Sequence, residues 1–291
     1  MQQTLTNVET KPRSRSWLVL LDYLFYILLV AFLAIFAFYF YTFRQYVIVD
    51  LPSLVTQGAV TTIYVSIISM ILATIFGFIG ALGRLSRFFL FRWIALVYVE
   101  VVRGTPILVQ LLLWFYGVGT VLGTIGFDPY NVAYQVMTAL QSNSLLPSSS
   151  FTFDAAFYGI IALSFNYGAY LTEVFRTGIL GVDKGQTEAA LSLGLNSRQT
   201  MRHIILPQAF RITIPPFANY FITLVQDTAL LSVIGGVIEL QELTTSYASP
   251  LSSDPNTELF IYVFGAVLFL CICYPLALLA RYLESRMAIA Y

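Results

Sequence analysis

Hydrocarbon about 30 Å thick is crossed by roughly 20 apolar residues wound into a helix at about 1.5 Å rise per residue. This chain carries apolar runs of that length in six places: residues 17–43, 54–82, 91–122, 155–180, 212–234 and 259–280. No other feature narrows the fold as far, because backbone N–H and C=O groups in lipid must find their partners within the chain. The expectation is an all-α, polytopic membrane helical bundle with six transmembrane helices. Composition points the same way. Apolar residues make up 58%, charged residues 10%, and mean hydropathy is +0.79, against about 25% charged residues in an ordinary soluble domain.

The first run follows Lys11, Arg13 and Arg15 and is longer than the roughly 7–15 residue core of a secretory signal, so a retained helix is expected. Gly104-Thr105-Pro106 interrupts the third run and predicts a kink or break there. Between the third and fourth runs, residues 123–154 contain Pro129, Pro147 and the serine-rich stretch 142–150, which predicts an extramembrane loop. The net charge of zero gives no basic field for nucleic acid. Cys271 and Cys273 lie inside an apolar run and are expected to pack as small hydrophobes. His203 is the sole histidine and falls in a connection, so no histidine-based metal cluster is expected in the membrane.

Orientation follows from where lysine and arginine collect, because cytoplasmic connections are the positive ones. The N-terminal tail has Lys11, Arg13 and Arg15, the second connection Arg84, Arg87 and Arg92, the fourth Lys184, Arg198, Arg202 and Arg211, and the C-terminal tail Arg281 and Arg286. The odd-numbered connections hold only Arg44 and are acidic, with Asp50, Asp128, Asp154, Glu239, Glu242, Asp254 and Glu258. Both termini are expected in the cytoplasm, with 123–154 facing outward. Residues 235–243 mix apolar positions with Glu239 and Glu242, and an interfacial helix on the outer surface is expected there.

The fourth connection, residues 181–207, reads GVDKGQTEAALSLGLNSRQTMRHIILP. A helix over Lys184–Leu193 would place Ala189, Ala190 and Leu193 on one face of small residues. Gly194 suits the left-handed residue that ends a helix, and Ser197 is expected to cap a second helix starting at Arg198. Two short helices across the cytoplasmic mouth make a docking surface, although spacing alone also fits an ordinary amphipathic loop. A DNA-binding helix-turn-helix is disfavoured, since both ends of the element are tied to spans and it could not easily enter a groove.

The run Glu188-Ala189-Ala190, then Gly194, then Ile204, Leu206 and Pro207 resembles the EAA loop of permease subunits in bacterial ATP-binding-cassette importers. Tyr98 to Pro106, Tyr167 to Glu173 with Arg176, and Asp227 to Ile234 are similar to motifs of the polar amino acid subclass. The resemblance implies a type I ABC importer permease fold in the inner (plasma) membrane. In that fold the loop residues form coupling helices seated on a separate ATPase dimer. It also implies a second permease chain, an extracytoplasmic amino acid-binding protein, and ATP and Mg bound by the ATPase rather than by this chain. On this reading residues 1–16 are a tail and 17–50 an additional helix. Residues 51–291 are a five-helix core, with outward loop 123–154 and coupling loop 181–208. The added helix and the long outward loop depart from the compact members. No GxxxxGK[ST] phosphate loop occurs in the sequence, so ATP binding falls to another polypeptide.

Glu100, Arg103, Glu173, Arg176 and Asp227 fall within expected spans, where a lone charge costs about 2.5–3.5 kcal/mol on insertion scales and so needs a partner or water. Glu100 with Arg103, and Glu173 with Arg176, are spaced i, i+3 and can pair on a helix. Simple neutralisation near the interface is the alternative for both pairs, and it is favoured for the first, which sits beside the kink and the basic connection, whereas Glu173 lies deeper. An amino acid substrate brings an ammonium and a carboxylate, both of which must be matched once water is removed. Glu173 is the expected acceptor for the ammonium and Arg103 the candidate for the carboxylate. Asn219, Thr223 and Asp227 recur about one turn apart on the fifth span and form a polar stripe. The stripe is expected to line the pathway, with interhelical hydrogen bonding as the alternative. Gly77, Gly80 and Gly83 allow close helix contact. The competing function is a self-sufficient ion-coupled secondary transporter or channel, since intramembrane carboxylates also suit proton coupling. Internal repeats of the inverted kind are not evident.

Overall fold

The computed structural model describes residues 16–44, 52–126, 153–234, 237–251 and 254–288, with positions 135 and 138. Residues 1–15 of the expected tail 1–16 and most of the expected outward loop lie outside the described residues. The chain divides into two units, Met1–Val49 and Asp50–Tyr291. In the first, α1 spans Ser16–Thr42. Its Phe32, Phe36 and Phe40 succeed one another at i, i+4 with ring centroids 6.4 and 6.3 Å apart.

The described residues of the second unit form helices joined by short turns. A π-helical turn, Leu54–Ala59, leads into α2, Val60–Leu85. After a turn at Ser86, α3 runs Phe89–Arg103. Pro106 is extended (φ −61°, ψ 137°), and the chain resumes as α4, Ile107–Leu112, a π turn Leu113–Val118, and α5, Gly119–Thr124. The expected break at Gly104-Thr105-Pro106 is therefore a full interruption. Next come α6, Phe153–Leu180, α7, Lys184–Ser192, and α8, Ser197–Thr200, which passes through the π turn Met201–Ile205 into α9, Leu206–Asp227. The fifth run therefore begins six residues before Ile212, because Pro207 is tolerated in the first turn of a helix, where its missing N–H costs nothing. A tightened turn, Thr228–Val233, closes α9; α10, Leu240–Ala248, and α11, Pro255–Ala288, complete the chain.

By length and composition, Leu54–Leu85, Ile107–Thr124 and Pro255–Met287 are long and apolar enough to cross a membrane. α6 and α9 carry more polar residues, among them Asn166, Glu173, Asn219 and Asp227. The core lies between α2, α6 and α9, where Val65, Leu111, Leu163, Leu171, Leu224 and Leu231 are wholly buried. α2 and α6 meet backbone to backbone. A Cβ on Gly77 would sit 2.6 Å from the Leu171 Cβ, and one on Gly80 would strike the Thr172 hydroxyl, so the expected glycine contact is real. Buried hydroxyls return to their own helix, as with Ser66 to Thr62 O at 2.7 Å and Thr172 to Gly168 O at 2.8 Å. Large apolar side chains cover much of the outside, including Ile71, Ile79, Phe89 and Leu270, each more than half exposed. That is the inverse of a water-soluble surface, and it suits a lipid surround.

The segment after α9 differs from the expectation of a helix lying on the surface. Leu240, Thr244 and Ala248 of α10 are buried, and Leu240 N–H donates to the Thr62 hydroxyl of α2 at 3.2 Å. Its apolar face is packed into the bundle instead. Cys271 is exposed and Cys273 buried, both free thiols.

Candidate functional site

The break between α3 and α4 strips carbonyls of their helical partners, and the side chains of Thr105 and Gln110 answer them, Thr105 Oγ1 donating to Val101 O at 3.0 Å. Gln110 Nε2 donates to Val102 O at 2.7 Å, Thr105 O at 3.1 Å and Thr105 Oγ1 at 2.7 Å, while its Oε1 accepts from Asn166 Nδ2 at 3.2 Å. The break is thereby fixed against α6 rather than left loose. Beside it opens a cavity of ≈ 420 Å³, bounded by the broken segment with Arg103, by Asn166, Tyr167 and Tyr170 of α6, and by Tyr220, Thr223 and Asp227 of α9.

Its polar groups are of both signs. Asp227 Oδ2 accepts from the Tyr167 hydroxyl at 2.6 Å. The Arg103 guanidinium lies over the Tyr170 ring, 5.2 Å from its centroid, a cation–π contact. Tyr170 and Tyr220 rings are 5.3 Å apart, and Tyr167 lies 6.4 Å from Tyr220. Three tyrosines therefore wall a space that has a carboxylate on one side chain and a guanidinium on another. Such walls combine apolar contact with a few polar groups that orient a ligand.

Of the five substrate-contact residues expected from the sequence, the structure brings Arg103, Thr223 and Asp227 to this cavity and leaves two outside it. Glu173 sits between arginines, with Oε1 3.2 Å from Arg84 Nε and Oε2 2.7 Å from the Arg176 guanidinium. Its expected pairing with Arg176 is present, and Arg84 ties α2 to α6 through the same carboxylate. Asn219 Nδ2 donates to Glu284 Oε1 of α11 at 3.3 Å, so the polar stripe divides: its lower end links helices and its upper end lines the cavity. Glu100 is exposed, and among the described residues the ion pairs are those of Glu173, so the expected pair with Arg103 is replaced by the Tyr170 contact. Sequence reasoning missed Gln110, Asn166, Tyr167, Tyr170 and Tyr220 as site residues. The i, i+3 spacing of Tyr167 and Tyr170 was the available signal.

The second functional element is the connection 181–207. Asp183 Oδ1 accepts the Gly185 N–H at 2.6 Å and caps α7. At the other end Gly194 takes φ 83°, with Gly194 N–H to Leu191 O at 3.0 Å and Leu195 N–H to Ala190 O at 3.1 Å. These are the two bonds of a Schellman ending. The second helix is capped by Asn196 rather than Ser197: Asn196 Oδ1 accepts Gln199 N–H and Gln199 Oε1 accepts Asn196 N–H, each at 2.9 Å. Asparagine is a strong cap, and glutamine three residues on completes the reciprocal pair. Ala189 and Leu193 are exposed, whereas Ala190 is buried, so the expected three-residue face splits into an outward pair and an inward alanine. Leu193 at the tip is 83% exposed, the highest value among the exposed large apolar residues. Glu188 and Pro207 are exposed, Leu206 is 40% exposed, and Ile204 is half-buried.

The described bundle thus combines a broken helix, a cavity with side chains of both charges and a capped two-helix projection. Residues 73–289 match the family described as binding-protein-dependent transport system inner membrane component, and the chain belongs to it. The chain is 35% identical to the L-cystine transport system permease protein of Bacillus subtilis (strain 168), over 80% of this chain and 86% of that one. It is 30% identical to the glutamine transport system permease protein of Escherichia coli (strain K12), over 81% and 94%. A solved structure described as an amino acid ABC transporter with histidines superposes with a TM-score of 0.64 at 28% identity, over 82% of this chain and 96% of that one. As a permease subunit in this family, the chain is a transport component and ATP hydrolysis belongs to a separate ATPase. Its family and apolar helices make it a multi-pass inner membrane protein.

Proposed function

We propose that this chain translocates polar or charged amino acids into the cytoplasm as the permease of an ABC importer. In this reading six helices cross the membrane with both termini inside. The chain pairs with a second permease chain and receives substrate from an extracytoplasmic binding protein. The observation that carries the substrate class is the cavity beside the α3–α4 break, where Asp227 and Arg103 face one space. A free amino acid carries an ammonium and a carboxylate, and a site that strips both of water must return an acceptor and a donor. Asp227, held by Tyr167, supplies the acceptor; Arg103 supplies the donor; Thr223 and the tyrosines shape the rest. Glu173 and Asn219 would have to leave their present partners to touch substrate there, so their part is to hold helices around the site. The coupling role falls on Glu188, Ala189, Ala190, Gly194, Ile204, Leu206 and Pro207, with the exposed Leu193 at the tip of the projection.

The test is uptake of labelled amino acids by proteoliposomes containing the chain, its ATPase and its binding protein. Asp227→Asn and Arg103→Gln each remove one charged hydrogen-bonding partner, expected to cost about 1.5–3 kcal/mol of binding, a drop of roughly 10–100-fold in apparent affinity. Unchanged transport in both variants, with normal expression, would move the substrate site elsewhere.

A further inference from the structure

A second hollow lies between α2 and α3, against Phe165 of α6. Its volume is ≈ 560 Å³, and Phe76, Ile79, Leu82, Phe91, Ile94 and Phe165 supply most of its walls. Ile79 is 62% exposed, Leu82 52%, Phe91 58% and Ile94 55%, so the hollow is an open groove. Its lining holds few polar groups. The Tyr98 hydroxyl donates to Phe165 O at 2.6 Å, and the Ser86 hydroxyl accepts the Phe88 N–H at 3.1 Å. At the end where α2 turns into α3 the chemistry changes. Ser86 and Phe91, which border the groove, are each followed by an arginine, Arg87 and Arg92, and both are exposed. Arg84 in the same turn is engaged by Glu173. Phe88, Phe89 and Trp93 stand out beside them at 54%, 68% and 60% exposure, a placement suited to the headgroup level of a bilayer.

We propose that this groove is a binding site for one anionic phospholipid of the cytoplasmic leaflet, an acyl chain lying along α2 and α3 and the phosphate between Arg87 and Arg92. The charge complementarity is what selects the occupant: an apolar trough whose bordering Ser86 and Phe91 are each followed by an exposed arginine, unpaired among the described residues, matches an acyl chain joined to an anionic headgroup. The lysine and arginine bias places this turn on the cytoplasmic side, where anionic lipids attract basic clusters.

The full chain, purified in detergent and supplied with phosphatidylglycerol or phosphatidylcholine of identical acyl chains, tests this by native mass spectrometry. Preferential retention of one phosphatidylglycerol is expected. Arg87→Gln with Arg92→Gln should weaken it about 30-fold, from the contribution of about 1 kcal/mol per basic residue. Arg281→Gln with Arg286→Gln, two exposed arginines on α11, should leave it unchanged. Equal retention of the two lipids overturns the site, as does equal loss from the two double variants. A photoreactive side chain at Ile94 supplies the independent readout. Lipid adducts support the proposal, and adducts mapping to protein, whether α1 or a second copy of the chain, overturn it.

Discussion

Glu239 caps α10 with a side chain that has no exposed surface, and its two oxygens accept the N–H groups of Gln241 and Glu242 at 2.6 Å each. It lies between the fifth and sixth apolar runs, outside both. Burial pushes its pKa up to about 8; the two backbone bonds pull the other way, and the Glu242 charge adds to the rise. An unfolded glutamate releases its proton near pH 4.3. Between there and about pH 8 the folded chain keeps a proton that the unfolded chain has lost. Stability is therefore greatest below the unfolded pKa and declines as pH rises through that window, by on the order of 5 kcal/mol. Thermal unfolding in detergent should show Tm falling from pH 5 to pH 8, about 2–4 °C for each kcal/mol. Glu239→Gln keeps an acceptor for the cap and should flatten the profile; parallel slopes in the two proteins would assign the dependence to another group. The sequence exposed such residues by type alone. Glu173 was legible as a charge in a span and as a partner of Arg176 three positions on, yet Arg84 stands 89 positions away. Asp227 was legible as part of a stripe, while Tyr167, 60 positions distant, was not. Spacing on one helix reveals neighbours on that helix, and a cavity is made of neighbours on several.

The elements followed from the chain most closely where local chemistry decides them. Gly104-Thr105-Pro106 forces an interruption, and Gly194 ends α7 at the expected place. What fills the interruption was hidden, because Gln110 is an ordinary helical residue until the freed Val102 and Thr105 carbonyls are seen beside it. The cap of α8 shifted by one residue for a similar reason: Asn196 and Ser197 both qualify, and only the Gln199 side chain chooses between them. The geometry at Gly194 separates two causes of failure. A Cβ there meets nothing within 4 Å, so the chain itself leaves room for a side chain. The positive φ is the constraint, costing about 1–2 kcal/mol for most residues and less for asparagine, which visits this region. Gly194→Asn should therefore fold and express normally. If the projection seats on the ATPase, the added bulk at its tip should uncouple ATP hydrolysis from uptake while ATPase turnover persists. Gly194→Val adds backbone strain and should show the same uncoupling with a less stable loop. Tight coupling in a well-folded Gly194→Asn protein would remove the docking role.

Over the whole molecule, the apolar exterior and the sparse interior charge settle what the chain can do alone. Its outer walls suit lipid, its described polar cluster borders a cavity, and its sequence holds no phosphate loop. A bundle of this kind has intramembrane carboxylates, as proton-driven carriers do. Here Glu173 is neutralised by two arginines, and Asp227 accepts a hydrogen bond from Tyr167. Membership in a family whose ATP hydrolysis belongs to a separate ATPase brings the energy from outside the bundle, and the proposed point of entry is the capped projection with Leu193 at its tip. The chain reconstituted by itself should neither hydrolyse ATP nor accumulate amino acids under an imposed proton gradient. Adding the ATPase and binding protein should make uptake depend on ATP hydrolysis, and dissipating the gradient with an ionophore should leave that uptake intact. Accumulation by the lone chain that collapses with the ionophore would instead identify a self-powered carrier, and the Asp227→Asn variant would then show whether its proton travels through this cavity.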